Sequence, residues 1–144
     1  MKEKVIVSAC LLGENCKYNG GNNRNQKIID FLSDKEVIPV CPEVMGGLST
    51  PRLKSEKDFN DKNKVINEHG KDVSEFFLKG AKIALEKVFE SGAKLAIVKE
   101  KSPSCGSKKI YNGKFNGTLI EGSGVFTTLL KENNIKVLTE EDFV

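Results

Sequence analysis

Val5-Ile6-Val7 is an uninterrupted apolar run near the start of the chain, and it leads directly into Ser8-Ala9-Cys10. Short apolar runs rich in Val and Ile are typical of parallel strands that are buried on both faces. Three further runs are predicted as strands, at residues 37–41, 95–98 and 135–138. The first of these contains Pro39, which cannot donate a backbone hydrogen bond, so we expect it at a sheet edge or a bulge.

Helical periodicity separates the predicted strands. Apolar residues recur at three- and four-residue spacing in three segments, at residues 25–32, 73–91 and 124–132. A small hairpin is predicted between residues 56 and 69, and long surface loops are predicted at 13–25 and 112–124. Strands that alternate with helices favour an α/β fold. We therefore expect a single α/β domain over residues 1–144, with a mostly parallel sheet of about four to five strands and flanking helices in a Rossmann-like three-layer arrangement.

Length and composition exclude several classes of function. The chain has 144 residues and a net charge of +3, which is too small to indicate a nucleic-acid or membrane partner. No apolar stretch approaches the roughly 18 residues of a transmembrane helix, and the N-terminal run is too short for a secretory signal. We therefore expect a cytoplasmic protein whose four cysteines are reduced. The chain has one histidine, which excludes a histidine-rich metal site. This residue, His69, is expected at the surface.

Three of the cysteines follow the ends of predicted strands. Cys10 follows the first strand, Cys41 ends the second, and Cys105 lies a few residues beyond the third. Because neighbouring parallel strands end on the same side of a sheet, we expect the three thiols to meet in the crevice beyond those ends. Each cysteine alone is equally well explained as a small core residue. That explanation is weaker for three cysteines at matching positions, each within a turn rich in Gly, Pro or Ser.

The chemistry of three converging thiols narrows the choice of ligand. A structural zinc site usually takes four ligands from closely spaced cysteine pairs, whereas Cys10 and Cys16 are separated by five residues. An iron–sulfur cluster is also bound by thiolates, and three ligands to a four-iron cubane would leave one iron open to substrate. Cys16 could be a fourth ligand or a spare thiol. Two other hypotheses remain: a non-catalytic metal or iron–sulfur module that acts as a sulfur carrier or sensor, and a metal-free enzyme with one cysteine nucleophile.

Candidate acid–base and hydrogen-bonding groups lie beside the cysteines in sequence. Glu43 follows Cys41 by two residues and could act as a general acid or base, or could equally be a surface carboxylate. Ser102 and Ser104 could donate hydrogen bonds to a ligand or a sulfur, although Ser also favours turns. Arg52 is one of only two arginines, and it could hold an anionic or carbonyl-bearing ligand or pair with Glu43.

Three ordered motifs resemble those of the thiouracil desulfidase family. They are Ser8-Ala9-Cys10-Leu11-Leu12-Gly13 followed by Cys16-Lys17-Tyr18; Val40-Cys41-Pro42-Glu43 followed by Gly46-Gly47-Leu48 and Thr50-Pro51-Arg52; and Lys101-Ser102-Pro103-Ser104-Cys105-Gly106 followed by Ile110-Tyr111 and Gly113. The resemblance covers nearly the whole chain, and three motifs in this order and spacing are specific.

The resemblance implies an enzyme with a [4Fe-4S] cluster held by Cys10, Cys41 and Cys105. The fourth iron would bind the sulfur of a thiolated pyrimidine such as 2-thiouracil, and water would replace that sulfur to give uracil and sulfide without net redox change. Glu43 and Ser102 would handle protons near the substrate. The partner implied by the family is therefore a small thiolated nucleobase.

Overall fold

A computed structural model of the chain describes residues 2–61 and 63–144, and its centre is a parallel sheet with helices on both faces. The strands are β1 (Lys4–Ser8), β2 (Glu36–Val40), β3 (Ser55–Lys57), β4 (Val65–Asn67), β5 (Leu95–Val98), β6 (Lys109–Tyr111), β7 (Leu119–Glu121) and β8 (Lys136–Thr139). The α-helices are α1 (Gln26–Phe31), α2 (Pro42–Met45), α3 (Ser74–Ser91) and α4 (Val125–Glu132). Short 3-10 helices occur at Ala9–Leu12, Leu32–Asp34 and Glu140–Phe143.

The principal sheet has the strand order β2-β1-β5-β8, and each of its strand pairs is parallel. The four apolar runs of the sequence form these four strands, so the predicted α/β class and parallel sheet are confirmed. β2 lies at an edge of the sheet, and Pro39 within it is exposed. The edge position explains how a residue without an N–H group is accommodated in a strand.

Apolar side chains pack on both faces of the sheet because successive residues of a strand point in opposite directions. Ile6 of β1 belongs to a cluster with residues of α3 and α4, among them Ala84 and Phe126. Val5 and Val7 point to the other face and pack in a second cluster with Ile28 of α1. The result is the predicted three-layer arrangement, with β1 buried between the two helical layers.

α2 lies directly against the backbone of α3, at a contact made by two glycines. A Cβ atom placed on Gly80 of α3 would lie 1.7 Å from the carbonyl oxygen of Pro42, and one on Gly46 would lie 1.9 Å from the carbonyl oxygen of Phe76. Because glycine has no side chain, these two positions allow the backbones of α2 and α3 to come into direct contact. This contact fixes the direction in which β2 continues into α2.

Two small antiparallel hairpins lie outside the principal sheet. β3 pairs with β4, which confirms the hairpin predicted between residues 56 and 69. β6 pairs with β7, whereas the sequence analysis placed one long loop over residues 112–124. That expectation was wrong because both strands are only three residues long, too short to show a periodicity. In residues 2–61 and 63–144, even the 18-residue α3 lacks the sustained hydropathy of a membrane span, and no other helix has it.

Candidate active site

A cavity of about 290 Å³ opens beyond the C-terminal ends of β1, β2 and β5. This is the crevice in which open parallel sheets bind their ligands. Each site residue expected from the sequence lines the cavity: Cys10, Cys16, Cys41, Cys105, Glu43, Ser102, Ser104 and Arg52. His69 is exposed and does not line the cavity, as expected for a surface residue.

Cys10 lies in the 3-10 helix Ala9–Leu12, which begins directly after β1. Its thiol is partly buried, and the side-chain amide of Asn23 donates a hydrogen bond of 3.5 Å to its Sγ atom. Burial raises the pKa of Cys10, and the hydrogen bond from Asn23 opposes part of this increase. The end of β1 thus presents a thiol that already accepts one hydrogen bond.

Cys41 and Cys16 form a pair of thiols in the same cavity. The Sγ atom of Cys41 lies 3.8 Å from the carbonyl oxygen of Cys16. The hydrogen bond between the two thiols is the main reason that the pKa of Cys41 falls to about 7, and the backbone N–H of Val44 and the charge of Arg52 lower it further. The same hydrogen bond and burial raise the pKa of Cys16. Within the pair, Cys41 is therefore the more acidic thiol.

Cys105 is the most deeply buried of the four thiols, with 4% of its surface exposed. Burial raises its pKa to about 12, against the effect of hydrogen bonds from Ser8 and Ser104. A thiol in this environment becomes a thiolate at neutral pH only when a cation or a metal compensates its charge.

The loop that carries Cys105 is stabilised by Glu100, a buried residue that is 2% exposed. Its side chain accepts backbone N–H hydrogen bonds at 2.6–3.3 Å from Lys101, Ser107, Lys108 and Lys109. Lys101 has a φ of 73°, a conformation that residues other than glycine rarely adopt. The buried carboxylate therefore stabilises a backbone path that the loop would otherwise not follow.

The same loop is held from the other side by the N-terminus of α4. The first backbone N–H groups of the helix usually lack partners inside it. Here Val125 donates to the carbonyl of Pro103 at 2.9 Å and Phe126 donates to that of Ser104 at 2.9 Å. A Cβ atom on Gly124 would lie 2.3 Å from the carbonyl carbon of Ser104, so glycine permits this close approach.

A chain of hydrogen bonds connects Ser102 to Glu43 through Ser104. Ser104 donates to Oε2 of Glu43 at 2.9 Å, and the hydroxyl oxygens of Ser102 and Ser104 are 2.9 Å apart. Because a carboxylate without a proton can only accept, the single hydroxyl proton of Ser104 points to Glu43 at 2.9 Å in preference to Cys105 Sγ at 3.7 Å, and Ser102 donates to Ser104. The sequence analysis named Ser104 as a hydrogen-bond donor but did not assign it this bridging position, which joins residues 61 apart in sequence.

Arg52 holds the opposite side of Glu43. Its Nε atom lies 3.2 Å from Oε1 of Glu43, and its side chain is only 7% exposed. It also donates to the carbonyl of Cys16 at 2.9 Å and to the hydroxyl of Thr50 at 3.1 Å. Of the roles considered for Arg52, the structure therefore supports pairing with Glu43, and this pairing orients the carboxylate toward Ser104.

The thiols share one cavity without converging on a single point. Among residues 2–61 and 63–144, no three Cys, His, Asp or Glu side chains are close enough together to hold one metal ion. A tetrahedral zinc ion with Zn–S bonds of ~2.3 Å would bring its sulfur ligands to roughly 3.8 Å from one another. The side chains in the described part of the chain are therefore not spaced as a site for a mononuclear ion.

A family model described as 2-thiouracil desulfurase matches residues 5–142 of the chain. The chain belongs to this family. The resemblance found in the three motifs is thus confirmed, and so is the expectation of an enzyme. The match includes every residue of the cavity named above, from Ser8 in β1 to Cys105.

Two proteins similar to this desulfurase-family chain extend the comparison. The uncharacterized protein YbbK of Bacillus subtilis strain 168 is 41% identical over 145 residues, which cover 96% of each chain. A solved structure described as the [4Fe-4S]-dependent thiouracil desulfidase TudS is 42% identical, with a TM-score of 0.91. That match covers 98% of this chain and 93% of the other, so the fold is shared over nearly the whole length.

Proposed function

We propose that the protein is a [4Fe-4S]-dependent desulfidase that converts a thiolated pyrimidine such as 2-thiouracil into uracil and sulfide. One observation supports this most strongly: three thiols from three strand ends share a cavity with the hydrogen-bonded chain of Glu43, Ser104 and Ser102. The likeness to TudS supports the choice of cofactor. A reducing cytoplasm is the compartment in which four free thiols are retained.

The donor set fits a four-iron cluster. Cys10, Cys41 and Cys105 would hold it, one from each strand end, and thiolates are the ligands that such clusters require. When bound by three thiolates, the cluster would supply one iron without a protein ligand, available as a Lewis acid for a soft sulfur atom. Cys16 lies in the loop after the 3-10 helix Ala9–Leu12, where its carbonyl oxygen is 3.8 Å from Cys41 Sγ, and we assign it a supporting position beside Cys41 rather than that of a fourth ligand.

The reaction is a hydrolysis in which atoms and electrons balance. The C=S group and one water give C=O and hydrogen sulfide, and no oxidation state changes. A water must lose a proton as its oxygen attacks the carbon, and the leaving sulfur must gain protons. Oε2 of Glu43 is positioned to take the first proton because Arg52 and Ser104 fix the carboxylate in the cavity.

Ser104 and Ser102 offer a path for that proton. Ser102 accepts backbone N–H hydrogen bonds at 3.1 Å from Ser104 and from Cys105, so its oxygen is held rigidly while its proton remains transferable. When Glu43 gains a proton, the direction of donation along the chain of hydroxyls reverses. Glu43 then donates to Ser104 and Ser104 to Ser102, so the hydroxyl proton of Ser102 is left free to be donated to the leaving sulfur.

Substitution of single thiols tests the assignment of the ligands. We expect about four irons and four sulfides per chain in protein purified without oxygen. Cys10→Ser, Cys41→Ser and Cys105→Ser should each lose both the cluster and sulfide release from 2-thiouracil, whereas Cys16→Ser, the matched control, should keep both. One zinc per chain, or sulfide release from protein without metal, would contradict the proposal. The second result would instead favour a thiol enzyme with Cys41, whose pKa of about 7 suits a nucleophile.

Removal of the Ser104 hydroxyl tests the proton path separately. Ser104→Ala should lower kcat for sulfide release by roughly 100-fold, because general acid–base steps contribute about that much or more. The iron content should stay unchanged, since the Ser104 hydroxyl lies 3.7 Å from Cys105 Sγ and is not proposed as a ligand. Ser107→Ala, on the same loop, is the control. A Ser104→Ala variant with normal kcat and normal iron content would remove Ser104 from the mechanism.

A further inference from the structure

Glu56 is a buried carboxylate that the proposed reaction does not use. It lies in β3, 1% of its surface is exposed, and its Oε2 atom has no hydrogen-bond partner among residues 2–61 and 63–144. Burial of a carboxylate costs free energy unless the group is compensated by hydrogen bonds. These hydrogen bonds are made by its other oxygen, Oε1.

Oε1 of Glu56 accepts backbone hydrogen bonds from Gly113 at 2.9 Å and from Phe115 at 3.1 Å. Both donors lie in the turn that joins β6 to β7, and both have left-handed backbone, with φ of 88° and 55°. For Phe115 this conformation is rare. A Cβ atom on Gly113 would lie 2.2 Å from the carbonyl oxygen of Lys57, so the turn is pressed against β3.

The clamped turn begins directly after Tyr111, which lines the cavity. Lys54 and Ser55, which precede Glu56, also line it. The ammonium group of Lys54 lies 5.0 Å from the centre of the Tyr111 ring, a cation–π contact that restrains the ring. Glu56 thus joins two segments of the cavity wall that are separated by more than fifty residues in sequence.

From this arrangement we propose that Tyr111 is the specificity-determining wall on which the planar ring of the substrate stacks, and that Glu56 is the residue that positions this wall. The inference rests on the proposed function for the identity of the substrate. Base–aromatic stacking contributes enough binding energy to change affinity severalfold or more. A wall that is rigid before binding avoids the entropic cost of ordering it.

The test uses the intact protein with two probes, 2-thiouracil for turnover and uracil for binding. Tyr111→Leu should raise KM for 2-thiouracil and Kd for uracil about tenfold and change kcat less than about threefold, whereas Tyr111→Phe should resemble the unchanged protein. The matched control is Phe89→Leu, which replaces an exposed aromatic residue of α3 outside the cavity. A Tyr111→Leu variant that lowers kcat with unchanged KM and Kd would overturn the assignment.

Hydrogen exchange in the intact protein tests the part played by Glu56. Glu56→Ala should accelerate exchange of the Gly113 and Phe115 amides at least tenfold and raise KM as Tyr111→Leu does, and Glu56→Gln should preserve both because its carbonyl can accept the same bonds. Unchanged exchange in Glu56→Ala, or equal losses in Glu56→Gln and Glu56→Ala, would overturn the positioning role. If the unchanged protein binds uracil but releases no sulfide from 2-thiouracil, the proposed function fails while this inference stands.

Discussion

Glu43→Gln should lower the rate of sulfide release by roughly a thousandfold while the protein keeps its iron. Gln has nearly the same shape as Glu, and its carbonyl oxygen can still accept the hydrogen bond from Arg52. Its NH2 group would face Ser104, however, and an amide cannot take a proton from water at neutral pH. We expect kcat to fall by roughly 10³-fold, within the range that a positioned general base contributes.

The measurement is the rate of sulfide release from 2-thiouracil at equal iron content. Glu36→Gln is the matched control, because Glu36 is a surface residue whose carboxylate pairs with the exposed ammonium group of Lys4 at 3.8 Å. A Glu43→Gln enzyme that retains more than about a third of kcat would show that Glu43 is not the base. The same variant separates the proposed enzyme from a sulfur carrier or sensor, in which Glu43 would be dispensable.

Gly80→Ala should have the largest effect on stability of the changes considered. Alanine ordinarily stabilises a helix relative to glycine by about 1 kcal/mol. At this position the added methyl group would lie 1.7 Å from the carbonyl oxygen of Pro42 and 2.9 Å from the backbone nitrogen of Gly46. Both atoms belong to backbone, so α2 has to move away from α3. We expect the free energy of unfolding to fall by about 3 kcal/mol, as in severe overpacking.

Urea denaturation of the cluster-free protein measures this loss without interference from metal. Lys79→Ala, at the adjacent exposed position of α3, is the control and should change stability by less than about 0.5 kcal/mol. Displacement of α2 also moves Cys41 and Glu43, so anaerobically purified Gly80→Ala should contain less iron. A Gly80→Ala protein as stable as the unchanged chain would show that the helices separate at little cost.

The sequence was sufficient to predict the parallel sheet because each strand is a short, continuous apolar run. It was also sufficient to predict that thiols from several strand ends share one crevice, since that follows from parallel topology alone. The bridging position of Ser104 could not be predicted in this way, because it depends on a contact between residues 43 and 104 that no local pattern encodes. The structural roles of Glu56 and Glu100 could not be predicted for the same reason. A buried glutamate cannot be told from a surface glutamate by sequence alone, because its partners are backbone N–H groups distant in the chain.

The support that α4 gives to the Cys105 loop has a consequence for the order of events during synthesis. The carbonyls of Pro103, Ser104 and Gly106 accept hydrogen bonds from the backbone of residues 124–127, and β8 joins β5 later still in the chain. Because a chain is made from its N-terminus, Cys10 and Cys41 emerge from the ribosome well before the segment that shapes the surroundings of Cys105. We therefore expect the nascent chain to lack a competent crevice until residues 124–139 have emerged, and loading of the cofactor to follow that event.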